Sequence, residues 1–323
     1  MCMKILFVAI ALVSVNTLSR AQVQEQLSPT EKKYQSVVTE PLTIYKGYFR
    51  AGLAGWFTFV NKIFTDKGKR VLVDNNGGGT SMALHTSIQY GITDRLQAEL
   101  LVPYVRQTLT LSSVYEFPGA DTAYQVSHRR LINGLDHLDV AMMYQIIPGS
   151  FKKPFLGIGV TATLPTGEKN PSKVDPKNPN NFTAPPGSGE FSLLTQVRFR
   201  KITFPFSYNM FFGYKVNFGG AKLIRQTDTK ETPFKSGNRL NMGGSFNLHL
   251  NNWIIFKNFT ELNFLGPGTI GTEKGSDAWL LNYYPGLSFQ IKNFRIDQSI
   301  VFPVKGKSIL ADPVYILSVY STF

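Results

Sequence analysis

Residues 204–218 read FPFSYNMFFGYKVNF, and large apolar side chains occupy every second position of this stretch. The polar residues Ser207, Asn209, Lys215 and Asn217 lie between the apolar ones. Successive side chains of a β-strand point to opposite faces. The pattern therefore predicts a strand with one apolar face and one polar face.

The same alternation recurs in segment after segment, for example in residues 238–250 and 278–291. It predicts about twelve strands. They lie near residues 47–60, 81–91, 94–106, 136–147, 154–164, 190–200, 203–218, 238–250, 253–264, 278–291, 294–304 and 313–323. These strands exceed the typical soluble strand of about five or six residues. They are long enough to cross a bilayer, which takes about ten tilted residues.

The connections between the predicted strands alternate in length. Short links fall at Ile92-Thr93, 148–153, Lys201-Ile202, Asn251-Asn252 and Lys292-Asn293, and long links at 61–80, 107–135, 165–189, 219–237, 265–277 and 305–312. Short turns on one rim and long loops on the other are typical of outer-membrane barrels, whereas a soluble sandwich has no need of this alternation. We therefore predict an all-β fold in residues 46–323, a transmembrane antiparallel up-and-down β-barrel of about twelve strands.

The first residues have the layout of a secretory signal peptide. Lys4 precedes the apolar run 5–15, and Ser19 and Ala21 suit a cleavage site before Gln22. The apolar run is shorter than the roughly twenty residues of a membrane-spanning helix. Residues 1–21 are therefore predicted to be cleaved, and the chain is expected in the outer membrane of a Gram-negative bacterium.

The segment 22–45 does not fit a strand, because it mixes Gln, Glu, Lys and Pro. We predict that it forms a periplasmic N-terminal tail or a partial plug. The one cysteine, Cys2, lies in the predicted signal peptide, so disulfides and thiolate sites are not expected after cleavage.

The polar faces of the predicted strands give a set of charges that should line the lumen: Arg50, Arg95, Glu99, Arg198, Arg200, Lys215, Lys257, Glu261, Arg295 and Asp297. Three opposite-charge pairs are expected on these faces: Arg95 with Glu99, Lys257 with Glu261, and Arg295 with Asp297. Two interpretations remain open. The charges either fill a narrow lumen as pairs, or the excess of cations favours anionic solutes.

Inward-facing aromatic residues are expected to constrict any pore. They are Trp56, Phe155, Phe211, Trp253 and Phe259. The alternation does not decide whether they pack against each other or provide a path for apolar solutes.

Enzymatic chemistry was considered for one group of acidic and histidine residues. Asp121, His128, Asp136, His137 and Asp139 lie near each other in the sequence, and such a group can activate water. Asp and His residues are also common on a polar strand face without any chemistry. We therefore predict no enzyme, and no catalytic, cofactor-binding or metal-binding residue. No cofactor is expected, and no nucleic-acid partner, because no groove-reading helix or aromatic-basic stacking module is visible.

Three stretches resemble the outer-membrane β-barrel family named for the meta-pathway of phenol degradation. They are Tyr90-Gly91-Ile92-Thr93-Asp94-Arg95-Leu96-Gln97 with Val102-Pro103-Tyr104, Asn133-Gly134-Leu135-Asp136 leading to Met143-Tyr144, and Val160 to Gly167 ending in Leu164-Pro165-Thr166-Gly167. The resemblance covers residues 80–170. It implies a transporter barrel for hydrophobic or aromatic small molecules, and it carries over no catalytic residue.

The leading hypothesis is an outer-membrane channel or transporter for passive movement of small molecules, either hydrophobic or anionic. The alternative is a non-transporting barrel with a surface binding or structural role, and a surface hydrolase is the third hypothesis. Outer-membrane lipid and lipopolysaccharide are expected partners. The barrel-assembly machinery is another, because the chain ends in a strand at the aromatic Phe323. The solute is not identified by the sequence.

Overall fold

The computed structural model describes residues 44, 46–73, 78–115, 124–147, 153–170, 181–184, 186–223, 229–251, 253–291 and 293–323. Its strands are β1 (Phe49–Val60), β2 (Lys62–Phe64), β3 (Arg70–Leu72), β4 (Gly78–Thr93), β5 (Leu96–Tyr115), β6 (Tyr124–Leu135), β7 (Leu138–Ile147), β8 (Phe155–Leu164), β9 (Asn181–Ala184), β10 (Phe191–Thr203), β11 (Phe206–Lys222), β12 (Thr232–Lys235), β13 (Arg239–His249), β14 (Ile254–Leu265), β15 (Thr269–Ile270), β16 (Glu273–Lys274), β17 (Ala278–Ile291), β18 (Phe294–Lys307), β19 (Ile309–Leu310) and β20 (Val314–Thr322). Within these ranges, the molecule contains no helix long and apolar enough to span a membrane.

Twelve long strands close into one antiparallel barrel, with β6 and β7 following each other as a single wall strand. Each barrel strand pairs with its neighbours along the chain, and β1 closes the circle by pairing with both β4 and β20. Closure leaves no unpaired sheet edge around the barrel, which a bilayer requires because lipid offers no hydrogen-bond partners. The prediction of an all-β antiparallel barrel of about twelve strands is confirmed.

The short turns and both ends of the barrel chain share one rim. The N–H of Phe49 donates to the carbonyl of Phe323 at 3.0 Å, and the reverse bond measures 2.8 Å. The turn at Phe204-Pro205, which contains a cis peptide bond, joins β10 and β11 on this rim. By the usual arrangement of outer-membrane barrels this is the periplasmic rim, and the longer connections form the opposite one.

The outer face of the barrel is apolar and accessible. In β11 the side chains of Tyr208, Met210, Phe212 and Tyr214 are all exposed, while Asn209 and Phe211 between them are less exposed. The same alternation operates along β4, where Met82, Leu84, Ile88 and Tyr90 are exposed. An apolar band around a closed barrel matches the hydrocarbon core of a bilayer.

The long connections contain more structure than the sequence predicts. The segment 107–135, expected to be a loop, continues β5 to Tyr115 and returns as β6. β2, β3 and β19 form a separate small sheet, and β12, β15 and β16 extend the wall beyond β11. β9 pairs in parallel with β6, where residues 181–184 lie beside residues 129–132.

A bulge separates β6 from β7. Leu101 pairs with Asp139 and Tyr104 pairs with Leu135, so two residues of β5 face three residues across the ladder. Pro103 lies in this gap and has no N–H to donate, which suits the irregular position. The bulge places Asp136 and His137 at the inner wall of the barrel.

Candidate functional site

The lumen contains a cavity of about 410 Å³ on one side of the barrel. Its wall is formed by inward-facing residues of β1, β4, β5, β7, β8, β10 and β18. Four arginines and two carboxylates line it, namely Arg50, Arg198, Arg200, Arg295, Glu99 and Asp139. We call this space the arginine cavity. Because cations outnumber acids around it, the cavity should attract negative charge.

Arg50 and Arg198 lie near Glu99. Arg50 pairs with Gln89 across one ladder and Gln89 pairs with Glu99 across the next, so Arg50 and Glu99 lie on one rung. Glu99 interacts electrostatically with both Arg50 and Arg198. Arg50 and Arg200 repel each other, and Arg200 is 5% exposed. Arg50 and Arg198 thus share the carboxylate of Glu99.

Hydrogen bonds hold two of these guanidinium groups in place. The Nε of Arg50 donates to Thr322 Oγ1 at 3.1 Å, and the Nε of Arg198 donates to Gln196 Oε1 at 3.2 Å. Each bond uses one donor of a group that carries five. The remaining donors give the cavity its capacity to bind an anion.

A second charge cluster lies beside the cavity on β14 and β18. Asp297 accepts a bond from Arg295 Nε at 2.9 Å, and its other oxygen lies 2.9 Å from Lys257 Nζ. The predicted pair between Lys257 and Glu261 is therefore wrong. Four residues along a strand span about 13 Å, whereas the inward faces of nearby strands meet across the sheet. Glu261 instead accepts a hydrogen bond from the hydroxyl of Tyr284.

Arg95 occupies a different place from the predicted one. It lies in the turn between β4 and β5 with its side chain exposed, and the hydroxyl of Thr93 accepts bonds from the N–H groups of Arg95 and Leu96 at 3.2 and 3.0 Å. The predicted lumen position of Arg95 is therefore wrong. The turn falls at Asp94-Arg95, two residues after the predicted link Ile92-Thr93.

Lys215 connects the lumen wall to the bulge. Its Nζ donates to Thr163 Oγ1 at 3.4 Å, and it interacts electrostatically with Asp139. Asp139 lies 3.3 Å from His137 Nε2, and Asp136 lies 2.9 Å from His137 Nδ1. The described part of the predicted Asp/His group therefore consists of one imidazole held between two carboxylates. The other two members, Asp121 and His128, lie outside the described side chains.

The opposite side of the lumen is filled by aromatic rings. Phe211 and Phe259 stack with ring centroids 5.7 Å apart, and Tyr284 meets Phe259 edge-on at 5.0 Å. We call these three residues the aromatic cluster. The inward positions of Phe211 and Phe259 agree with the sequence prediction, whereas Trp253 lies exposed in the turn before β14.

Three glutamines of the cavity are not among the predicted lumen residues. Gln89, Gln97 and Gln196 all line it, and Gln97 is 7% exposed. Their positions follow the same alternation as the charged residues. A search for every polar residue on the inward faces would have included them.

Comparisons with solved structures show the fold. An outer-membrane channel from Pseudomonas putida F1 is similar with a TM-score of 0.65 at 11% identity, covering 87% of this chain and 97% of that one. The NanC porin matches with a TM-score of 0.43 at 10% identity over 84% and 98% of the two chains. The Pseudomonas putida toluene transporter TodX has a TM-score of 0.43 at 9% identity over 89% and 93%.

The chain thus has the fold of an outer-membrane barrel. The sequence matches no protein-family model and no curated protein. The resemblance to the phenol meta-pathway family therefore remains a prediction.

Proposed function

We propose that this protein is an outer-membrane channel through which small anions cross by passive diffusion. The observation that carries the proposal is the arginine cavity, in which four arginines face two carboxylates inside a closed barrel. Like charges around a narrow lumen lower the free energy of a counter-ion there and raise that of an ion of the same sign. The similarity in fold to an outer-membrane channel supports a channel role.

The lining of the cavity favours organic anions over bare hydrocarbons. Guanidinium groups bind carboxylates and phosphates through paired hydrogen bonds, and the cavity glutamines add amide donors. Leu101, Leu194 and Met143 supply apolar patches in the same wall. A small carboxylate with a short apolar part would use both kinds of surface, whereas a hydrocarbon would leave the charged groups without a partner.

The geometry of His137 at the bulge argues against the hydrolase hypothesis. Both ring nitrogens of His137 lie within hydrogen-bond distance of carboxylate oxygens, at 2.9 and 3.3 Å. An imidazole held in this way donates from both nitrogens and has no lone pair to accept a proton from water. We therefore interpret this cluster as a structural tie across the bulge.

The proposal is tested by the reversal potential of single barrels in a planar bilayer under a salt gradient. We expect steady conductance with a preference for chloride over potassium, and Arg198→Gln should reduce that preference severalfold. Lys201→Gln is the matched control. Lys201 lies three residues further along β10 and pairs with the exposed Tyr208, so it faces outward.

Two chains should be measured, one starting at Gln22 and one that also lacks residues 24–43, because Ile44 lies against the inner wall near the periplasmic rim. Cation preference in both chains would contradict the anion proposal. Silence of both, with folding shown by resistance of the barrel to unfolding in detergent at room temperature, would contradict an open channel.

A further inference from the structure

The outward face of β18 changes from apolar to basic toward the rim of the long connections. Phe302 and Tyr283 pair across β18 and β17, and both are exposed on the lipid face. Lys305 pairs with Leu281, which lies two residues before Tyr283 and therefore on the same face of β17. Lys305 thus points outward, and so does Lys307 two residues further on.

A bulge in β18 produces this orientation. The ladder to β17 shifts its register at Val304, which is an extra residue between the paired Pro303 and Lys305. Pro303 is on the same strand face as Asp297, inside the barrel, so regular alternation would also turn Lys305 and Lys307 inward. Bulges commonly re-aim side chains in this way. The bulge therefore places two cations on the lipid face and not in the lumen.

The two lysines lie beyond the apolar band of the barrel. Lys305 follows Phe294, which is exposed at the periplasmic rim, by eleven residues. At about 3.3 Å per residue and a strand tilt of about 40°, this part of β18 rises about 28 Å. The apolar band of outer-membrane barrels is about 25 Å tall and has aromatic residues at both borders. Lys305 and Lys307 therefore lie at the level of the outer lipid headgroups, just beyond the bordering pair of Phe302 and Tyr283.

The turn between β2 and β3 packs against β18 beside these lysines. The carbonyl of Thr65 accepts a bond from the N–H of Ser308 at 3.2 Å. A Cβ at Gly68 would lie 3.2 Å from the carbonyl oxygen of Gly306, the residue between the two outward lysines. The turn thus adds two exposed cations to those of β18. We call the four lysines the basic surface: Lys67, Lys69, Lys305 and Lys307.

Two carboxylates lie close to the basic surface. Asp66 is exposed in the turn, and Asp277 Oδ1 lies 2.7 Å from Lys307 Nζ. The side chain of Asp277 is 59% exposed, and exposed ion pairs of this kind are weak. The surface therefore keeps an excess of positive charge at headgroup level.

We propose that the basic surface binds the phosphates of lipopolysaccharide in the outer leaflet. Ammonium groups at headgroup level attract lipid phosphates. Phe302, Val304 and Tyr283 offer exposed apolar surface for the acyl chains of the same lipid. Lipid A, the membrane part of lipopolysaccharide, carries phosphates at both ends of its headgroup, which suits lysines spread over a turn and a strand. The site lies on the outside of the barrel and does not depend on the proposed transport of anions.

Binding can be measured by native mass spectrometry of the chain starting at Gln22, folded in detergent and incubated with lipid A. Combining Lys305→Gln with Lys307→Gln should raise the Kd at least about tenfold, since each lysine near an anionic surface contributes about fivefold. The matched control combines Arg106→Gln with Lys201→Gln and removes two outward cations from other strands. Arg106 pairs with Met82 and Lys201 with Tyr208, both exposed on the lipid face. The control should leave the Kd nearly unchanged, and equal weakening in both double variants would overturn the proposal.

The identity of the lipid has its own test on the unaltered chain. Lipid A without its phosphates should bind much more weakly than lipid A, and so should phosphatidylglycerol, whose headgroup has a single phosphate. Dephosphorylated lipid A that binds as tightly as lipid A would overturn the contact between lysines and phosphates. Phosphatidylglycerol that binds as tightly would overturn lipopolysaccharide as the occupant. A folded barrel that retains no lipid A at all would overturn the site.

Discussion

The arginine cavity and the aromatic cluster are built by the same alternation but fill the lumen in opposite ways. Their boundary runs between β10 and β11, where Arg198 and Phe211 are direct cross-strand partners. On one side, charges and amides surround an open space. On the other, rings pack within 5.0 to 5.7 Å of each other. The strand pattern thus fixes which residues face inward, and their chemistry decides whether the lumen holds water or side chains.

The largest expected effect comes from opening the filled side. Phe259→Ala removes the ring that contacts both Phe211 and Tyr284. The new space adjoins the lumen, so single-barrel conductance should increase. Loss of the packed ring should lower the free energy of unfolding by about 3 kcal/mol, the low end of the range for a fully buried phenylalanine, because Phe259 is only half-buried. Conductance in bilayers and urea unfolding from lipid vesicles measure the two effects.

Phe256→Ala is the matched control, since Phe256 lies on the same strand but is exposed on the lipid face. It changes contacts with lipid and leaves the lumen unaltered. We expect wild-type conductance from this variant. An equal rise in both variants would mean that the aromatic cluster does not limit the pore.

The sequence predicts the barrel well, because lipid on one side and a polar lumen on the other impose alternation on every wall strand. Beyond the apolar band this constraint ends. Residues 107–110 read Gln-Thr-Leu-Thr and belong to β5, yet both of their faces admit polar residues and the segment resembles a loop. Alternation of apolar and polar residues therefore does not predict the strands of the long connections.

Most charged members of the candidate site were predictable, and so was the pair between Arg295 and Asp297, whereas the partner of Lys257 was not. Arg50, Glu99, Arg198, Arg200 and Arg295 line the cavity as their positions in the pattern require. The partner of Lys257 is Asp297, which lies across two ladders, because only β17 separates β14 from β18. Alternation within one strand contains no information about which residues of nearby strands come level with each other.

A smaller effect tests how tightly the filled side is packed. A Cβ at Gly243 would lie 2.7 Å from the ring of Phe211 and 2.6 Å from the carbonyl oxygen of Thr260. Gly243→Ala must therefore displace the ring or the backbone, and overpacking of this kind costs about 2 kcal/mol. The free energy of unfolding measured in urea checks the loss.

The adjacent glycine provides the comparison for this prediction. A Cβ at Gly244 would come no closer than 3.3 Å to the carbonyl oxygen of Asn209, so Gly244→Ala should cost much less. Both residues lose the same backbone freedom, and the difference between the variants reports the close contacts of Gly243 with Phe211 and Thr260. Equal losses would show that the aromatic cluster adjusts freely, which would remove the contrast between a packed and an open side.

The smallest expected effect concerns the charge on the filled side. The hydroxyl of Tyr284 donates a hydrogen bond to Glu261, and Tyr284→Phe removes it. Glu261 is not part of the cavity wall, and charges more than about 8 Å apart are largely screened at physiological salt. The preference for anions should therefore fall by less than about twofold, since separation and screening weaken the influence of Glu261 on the arginine cavity.

Tyr283→Phe separates this electrostatic effect from the loss of a hydroxyl group. Tyr283 is on the lipid face of the same strand and donates to Asn258 Oδ1 at 2.6 Å, so its removal alters no lumen charge. Reversal potentials should distinguish the two variants only slightly, and both should differ far less from the unaltered chain than Arg198→Gln does. If Tyr284→Phe changed selectivity as strongly as Arg198→Gln, the ions would pass along the aromatic cluster, and the arginine cavity would not be their main path.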